Sequence, residues 1–252
     1  LAPLYCGAKV VFADVRPDLP PKERRSLVVD LDPESMRTYR LAARDVAAWI
    51  LRVGRNEQAR RAIHSQALVR FTALRRLAAV GKLARAVPVY LRRWYRHEHP
   101  RPLVICGYHQ EVLDGIEQTL RSGSVRYVRL HSSDTDTQRQ LAIDAFQRGE
   151  ADAFVLPILA GGQGVNLSRA SNMLAVERVF SPAQMEQMED RCRRLTSTDP
   201  LTVVYLDAAN TIDEHIGEIL AEKAQLINGI VDGETARDDR GLVEQLIERM
   251  IL

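Results

Sequence analysis

The sequence is poor in cysteine and lysine and has no long apolar run. Its three cysteines, Cys6, Cys106 and Cys192, are far apart and form no C-x-x-C pair. An odd, scattered set excludes a disulfide framework and a cysteine-bound zinc site, and it suits a reducing compartment. The six histidines are equally dispersed. His97 and His99, two apart with no third ligand nearby, read as a solvated loop, so no metal site is expected. No stretch of about 18 apolar residues occurs, which excludes a membrane-spanning helix. Leu1–Val11 lacks the charged and apolar regions of a signal peptide, and the chain, starting at Leu, reads as a piece of a longer protein. Neither a G-x-x-x-x-G-K-[ST] phosphate loop nor an Asp-Glu-x-His box is present.

What is present is apolar residue and arginine. Apolar residues make up 46% of the 252, ample for a packed core. The net charge of +2 hides an asymmetry. Residues 52–101 hold 13 Lys/Arg and only two acids, Glu57 and Glu98, and the remainder is acidic. A basic segment interleaved with Phe71, Tyr90, Trp94 and Tyr95 points to a polyanion partner. The competing reading is a solvated, arginine-rich helix surface. Composition alone leaves both open.

Hydrophobic periodicity divides the chain. Residues 1–33 read as an extended, proline-stiffened linker ending in a short strand, "SLVVDLD". Residues 34–97 carry helical spacing, as at Leu68, Phe71, Leu74 and Leu77. Over 98–212, strands alternate with helices: "LVICGY", "VRYVRL", "AFVLPIL", "NMLAVERV" and "LTVVYLD" are separated by helical stretches. This pattern predicts crossover units and a parallel sheet covered on both faces, a three-layer α/β fold. Residues 213–252 read as an amphipathic brace helix and a short terminal helix. No internal repeat or low-complexity tract appears.

Two stretches invite chemistry. "GGQGVNL", 161–167, follows a strand and offers backbone N–H groups to a phosphate or ribose. It is neither a dinucleotide fingerprint, since Leu167 stands where a third glycine is required, nor a Walker loop. "MEQMEDRCRRL", 185–195, puts Gln187, Arg191 and Arg194 at helical spacing i, i+4 and i+7 on one predicted stripe. Arg193 faces elsewhere, towards Glu189 or solvent. The stripe is either a solvated face laced with ion pairs or an arginine clamp for a phosphate.

The order of these pieces resembles the C-terminal RecA-like lobe of superfamily-two helicases, and within them the Swi/Snf-type DNA translocases, including small bacterial and annealing-helicase-like members. Pro102–Ile116 matches motif IV, Gly161–Leu167 motif V, and Gln187-x-x-Asp190-Arg191-x-x-Arg194 motif VI. Arg139 and Phe146-Gln147 match the helix between them. Leu195 is followed by Thr196-Ser197 where the family has Ile-Gly-Gln. Pro157 and Leu159 replace hydroxyl residues, Phe180 a tryptophan and Ser132 a glycine.

The resemblance implies ATP held between two lobes, with Mg held mainly by an N-terminal RecA-like lobe outside this chain. It implies Arg191 and Arg194 as the catalytic arginines and Gly162, Gly164, Asn166 and Gln187 on the nucleotide. Duplex DNA, bound without sequence preference, would contact Tyr108, His109, Gln110, Ser132, Ser133 and Gly161. It implies a cytoplasmic, nucleoid-associated protein whose isolated C-terminal lobe hydrolyses ATP negligibly. The alternative is a non-catalytic nucleic-acid- or protein-binding module of the same fold with degenerate motifs.

Overall fold

The structure is a computed structural model describing residues 20–53, 63–98, 101–159, 165–194, 197, 199–229 and 239–250. Six strands make one sheet: β1 (Lys22–Val29), β2 (Leu103–Gly107), β3 (Tyr127–Arg129), β4 (Ala153–Pro157), β5 (Asn172–Ala175) and β6 (Leu201–Ala208). Their order is β1-β6-β5-β2-β4-β3 and every pairing is parallel. The helices among the described residues are α1 (Pro33–Val53), α2 (His64–Ala84), α3 (Ala86–His97), α4 (Gln110–Ser122), α5 (Asp136–Gln147), α6 (Pro182–Cys192), α7 (Ile212–Gly229) and α8 (Asp239–Arg249).

The central strands are apolar runs because both of their faces are covered. Along β2, Val104 and Cys106 face a core shared with Ile143 and Phe146 of α5 and Met185, Met188 and Cys192 of α6. Leu103 and Ile105 face the opposite core, with Ala79 of α2, Leu91 and Trp94 of α3 and Ile116 of α4. The predicted three-layer parallel α/β fold is thus the observed one. A further core joins Tyr39 and Trp49 of α1, Phe71 and Leu74 of α2, Ile216 of α7 and Leu246 of α8. The strand read as "SLVVDLD" begins earlier, at Lys22, and pairs with β6 as an edge strand.

Local chemistry sets the helix ends. Thr135 and Gln138 form a reciprocal capping box at the start of α5. Gly149 follows α5 at φ +81°, a left-handed position that closes a helix and favours glycine. Ser181 is the extended N-cap of α6 and Pro182 its first residue, although the Ser181 hydroxyl makes no capping bond. No described helix is long and apolar enough to cross a membrane.

Candidate functional site

All strands being parallel, the loops after them lie along one edge of the sheet. Tyr108, His109 and Gln110 follow β2 on that edge. Ser132 and Ser133, exposed in a turn, follow β3 two strands away. Gly161, Gly162 and Gly164 lie outside the described residues.

The β2 loop is pinned by an acid that sequence reasoning did not single out. Glu177, 1% exposed, follows β5. Its Oε2 accepts the Tyr108 N–H at 2.6 Å and the His109 N–H at 2.9 Å, and its Oε1 lies 2.5 Å from His109 Nδ1. Burial alone would raise the Glu177 carboxyl. The hydrogen bond and charge of the His109 ring, with the two backbone donors, hold it below its ordinary value. Gln110 is exposed and donates to Asp114 at 3.0 Å.

The second group of predicted residues lies elsewhere. Helix α6 leaves the C-terminal end of β5 and returns to the N-terminal end of β6, so its last turn sits towards the opposite edge. Arg191 ends that turn and is half-buried, while Gln187, one turn earlier, is exposed. The predicted stripe stops there. The helix ends at Cys192, and Arg193 is extended at φ −108°, ψ 95°. Arg194 therefore sits in the following loop rather than at i+7 on the helix. Ser197 makes this end: its hydroxyl donates to the Cys192 carbonyl and accepts the Arg194 N–H, each at 3.0 Å.

Arg193 also departs from expectation. It is buried, and its Nε donates to the Pro20 carbonyl at 2.6 Å. Glu189 belongs instead to β1. Its carboxylate takes Lys22 at 2.8 Å and the Arg24 guanidinium at 2.6 and 3.0 Å, and it accepts the Tyr205 hydroxyl.

The structure does bring Arg191, Arg194 and the segment after the glycine loop together. The Leu167 N–H donates to the Arg191 carbonyl at 3.0 Å. Exposed Asn166, one residue earlier, accepts the Ser168 N–H at 3.1 Å. Gln147 of α5 braces the same segment, donating to the Ser168 hydroxyl and accepting from the Arg169 N–H, both at 3.1 Å. The Arg191 guanidinium titrates below its ordinary value, through half-burial first and the neighbouring charge of Arg194 second.

The basic segment resolves into unlike residues. Arg75 and Lys82 are buried, at 1% and 0% exposure. Lys82 Nζ donates to Asp213 and the Leu206 carbonyl, each at 2.7 Å, and to the Val176 carbonyl. Arg70 lies 4.0 Å over the Trp49 ring, and Arg76 pairs with Glu111. Arg92 and Arg96, with Tyr95, line a groove beside Leu120, Ser122 and Gly123 at the C-terminal end of α4. That end lies at the strands' N-terminal edge, away from Tyr108.

Sequence reasoning missed Glu177, Arg178 and Asp207, and it set Glu189 beside Arg193 rather than β1. Arg178 and Asp207 form a buried two-bond pair at 2.7 and 2.8 Å, and Ser26 donates to the same carboxylate. A signal was available in "NMLAVERVF" and "LTVVYLDAA", where charges interrupt apolar runs and so must be buried with partners.

A six-stranded parallel sheet between helical layers, with polar strand-end loops, is the fold of a RecA-like lobe. Residues 82–196 match the model of the helicase conserved C-terminal domain. Protein CHROMATIN REMODELING 19 of Arabidopsis thaliana is 37% identical over 131 residues, 52% of this chain and 17% of that protein. The mouse DNA annealing helicase and endonuclease ZRANB3 is 25% identical over 226 residues, 88% of this chain and 20% of that protein. The solved Sulfolobus solfataricus SWI2/SNF2 ATPase core in complex with dsDNA superposes with a TM-score of 0.71 at 20% identity, covering 92% of this chain and 49% of that one. Residues 82–196 thus carry a helicase conserved C-terminal domain, similar to those of Swi/Snf-related and annealing helicases, and the chain spans about a fifth of the length of these curated relatives.

Proposed function

We propose that this chain is the C-terminal motor lobe of a DNA-dependent ATPase, a helicase-like translocase. ATP binds between it and an N-terminal RecA-like lobe that supplies the phosphate loop and most of the Mg ligands. The observation that carries the reading is the Leu167 N–H bond to the Arg191 carbonyl, which sets Arg191, with Arg194 three residues on, beside the segment after the glycine loop. When ATP is bound, its triphosphate supplies the γ-phosphoryl group for transfer. Arg191 and Arg194 neutralise the charge that develops there, and guanidinium suits this because it stays protonated and presents a fixed fork of donors. Gln187, Asn166 and the glycines Gly162 and Gly164 orient the nucleotide.

Duplex DNA runs along the strand-end edge. There Tyr108, His109, Gln110, Ser132, Ser133 and Gly161 offer short polar groups that position phosphates without reading bases. Both the annealing helicase and the archaeal core in complex with dsDNA support this partner. The chain then works on DNA wherever the cell keeps it.

The test is turnover by the full-length protein. Arg191→Ala and Arg194→Ala should each slow DNA-stimulated hydrolysis by about 10³-fold or more, with unchanged thermal melting. The isolated chain should hydrolyse ATP negligibly. Near-normal turnover in both variants would make the pair a solvated surface. A second reading, a non-catalytic module of this fold, is favoured by the end of α6 at Cys192, which takes Arg194 off the helical stripe. It requires full-length protein with no DNA-stimulated hydrolysis.

A further inference from the structure

Arg75, in the middle of α2, is costly where it stands. It is 1% exposed, and its Nε makes no hydrogen bond. The Glu177 carboxylate is 4.0 Å from that Nε, too far for a two-bond pair. A buried cation so incompletely compensated is often less stabilising than an apolar side chain of similar volume. Stability therefore does not explain why an arginine is there, and its position does.

The guanidinium lies between two rings, 4.3 Å from the centroid of Tyr108 and 4.7 Å from that of Phe180. Its Nη1 donates to the Arg178 carbonyl at 3.1 Å. On one side it thus holds Tyr108, in the β2 loop that Glu177 also grips through the Tyr108 and His109 N–H groups. On the other it holds residues 178–180, which lead directly into α6. A second route runs through the same contact. The Arg178 guanidinium lies 3.9 Å over the Tyr205 ring, and the Tyr205 hydroxyl donates to Glu189 of α6. Glu189 is two residues before Arg191. A flat cation with donors at its rim can stack on two rings and bond a carbonyl at once, which an ammonium cannot.

We infer that Arg75 is a positioning residue that ties the strand-end loop of Tyr108 and His109 to helix α6, so that DNA engaged at the loop sets the orientation of Arg191. The inference rests on the motor reading above. Contiguous packed and hydrogen-bonded groups with no gap are the physical means by which one site biases another. Arg75 touches neither nucleotide nor DNA in this scheme. Its loss should uncouple the two sites while leaving each intact.

The experiment compares full-length wild type with Arg75→Met, Arg75→Lys and Phe180→Leu. It reads ATP turnover with and without saturating duplex DNA, duplex affinity by fluorescence anisotropy, and amide hydrogen exchange. Both Arg75 variants should keep DNA-free turnover and duplex affinity near wild type and lose about tenfold or more of the DNA-stimulated rate. Phe180→Leu should lose less, in the same direction. Exchange should speed up together at residues 108–110 and 178–185 in Arg75→Met. Full DNA stimulation in a folded Arg75 variant overturns the inference, as does faster exchange in only one of the two segments. If Arg75→Met does not fold, Arg75→Lys and Phe180→Leu decide on the same readouts. If wild type shows no DNA-stimulated turnover, the motor reading falls. The exchange result then decides alone whether Arg75 ties the loop to the helix.

Discussion

Arg75 and Lys82 sit in helix α2 with 1% and 0% of their surface exposed, whereas Arg191 is half-buried in the last turn of α6 and Arg194 is exposed beyond it. Both sets come from arginine-rich stretches, and both invited a phosphate partner on sequence alone. The α2 pair is committed to the molecule's own carbonyls, rings and acids. Arg191 and Arg194 instead lie beside the segment that follows the glycine loop, joined to it by the Leu167 N–H bond to the Arg191 carbonyl. Charge density in a sequence therefore measures the cations available. Their function depends on whether the fold has already satisfied them.

The contrast breaks if buried ionic contacts prove dispensable. Glu189, fully buried among Lys22, Arg24 and Tyr205, is the severest case. Replacing it by alanine strands cations that are themselves largely buried, so Glu189→Ala should cost about 3–5 kcal/mol in urea-induced unfolding. A loss under about 1 kcal/mol, the range of a surface pair, would move this network to the solvated class.

Acid titration sharpens the same point. In Glu177 and Asp207 burial opposes ionisation, but His109 and Arg178 respectively win and hold the carboxyls below their ordinary values of 4.5 and 3.8. Their ionised forms stabilise the fold above about pH 4.5, and that contribution is lost as pH falls through the folded-state values. Asp213 acts in the opposite sense. Burial raises it despite Lys82, so its contribution is fullest below pH 3.8 and is lost as pH rises. The expected net result is a melting temperature that falls from pH 5 to pH 3. In Asp213→Asn the fall should be steeper, because the opposing group is gone. A flat profile in wild type would mean these pairs contribute nothing differential.

The smallest effect concerns Arg92, Arg93 and Arg96. All three are exposed, and none forms an ion pair with another described residue. Sequence reasoning expects them to add to DNA attraction. Arg92 and Arg96, however, line the groove at the edge opposite Tyr108. Replacing all three by alanine should therefore change the slope of log K against log salt for duplex DNA by less than about 0.9, the share of one phosphate. A change of two or three such steps would put the DNA track across α3.

The sequence by itself determined the parallel three-layer fold, because apolar runs such as "LVICG" and "AFVLP" alternate with amphipathic helices and admit few other packings. It also carries the resemblance to the helicase C-terminal domain, since motif order and spacing are properties of the chain. It determined the start of α6 through Ser181-Pro182 and the capping of α5 through Thr135 and Gln138. Tertiary structure alone decided which charges are spent internally. Glu177 reaches Tyr108 and His109 across 69 and 68 residues, and Arg75 reaches the Arg178 carbonyl across 103. It also decided that α6 stops at Cys192, because Arg193 is drawn to the Pro20 carbonyl, 173 residues away, and Ser197 closes the helix end. Local pattern cannot carry such facts. Periodicity records which face of an element is buried, whereas the partner of a buried charge is set by strands that meet only when the sheet is assembled.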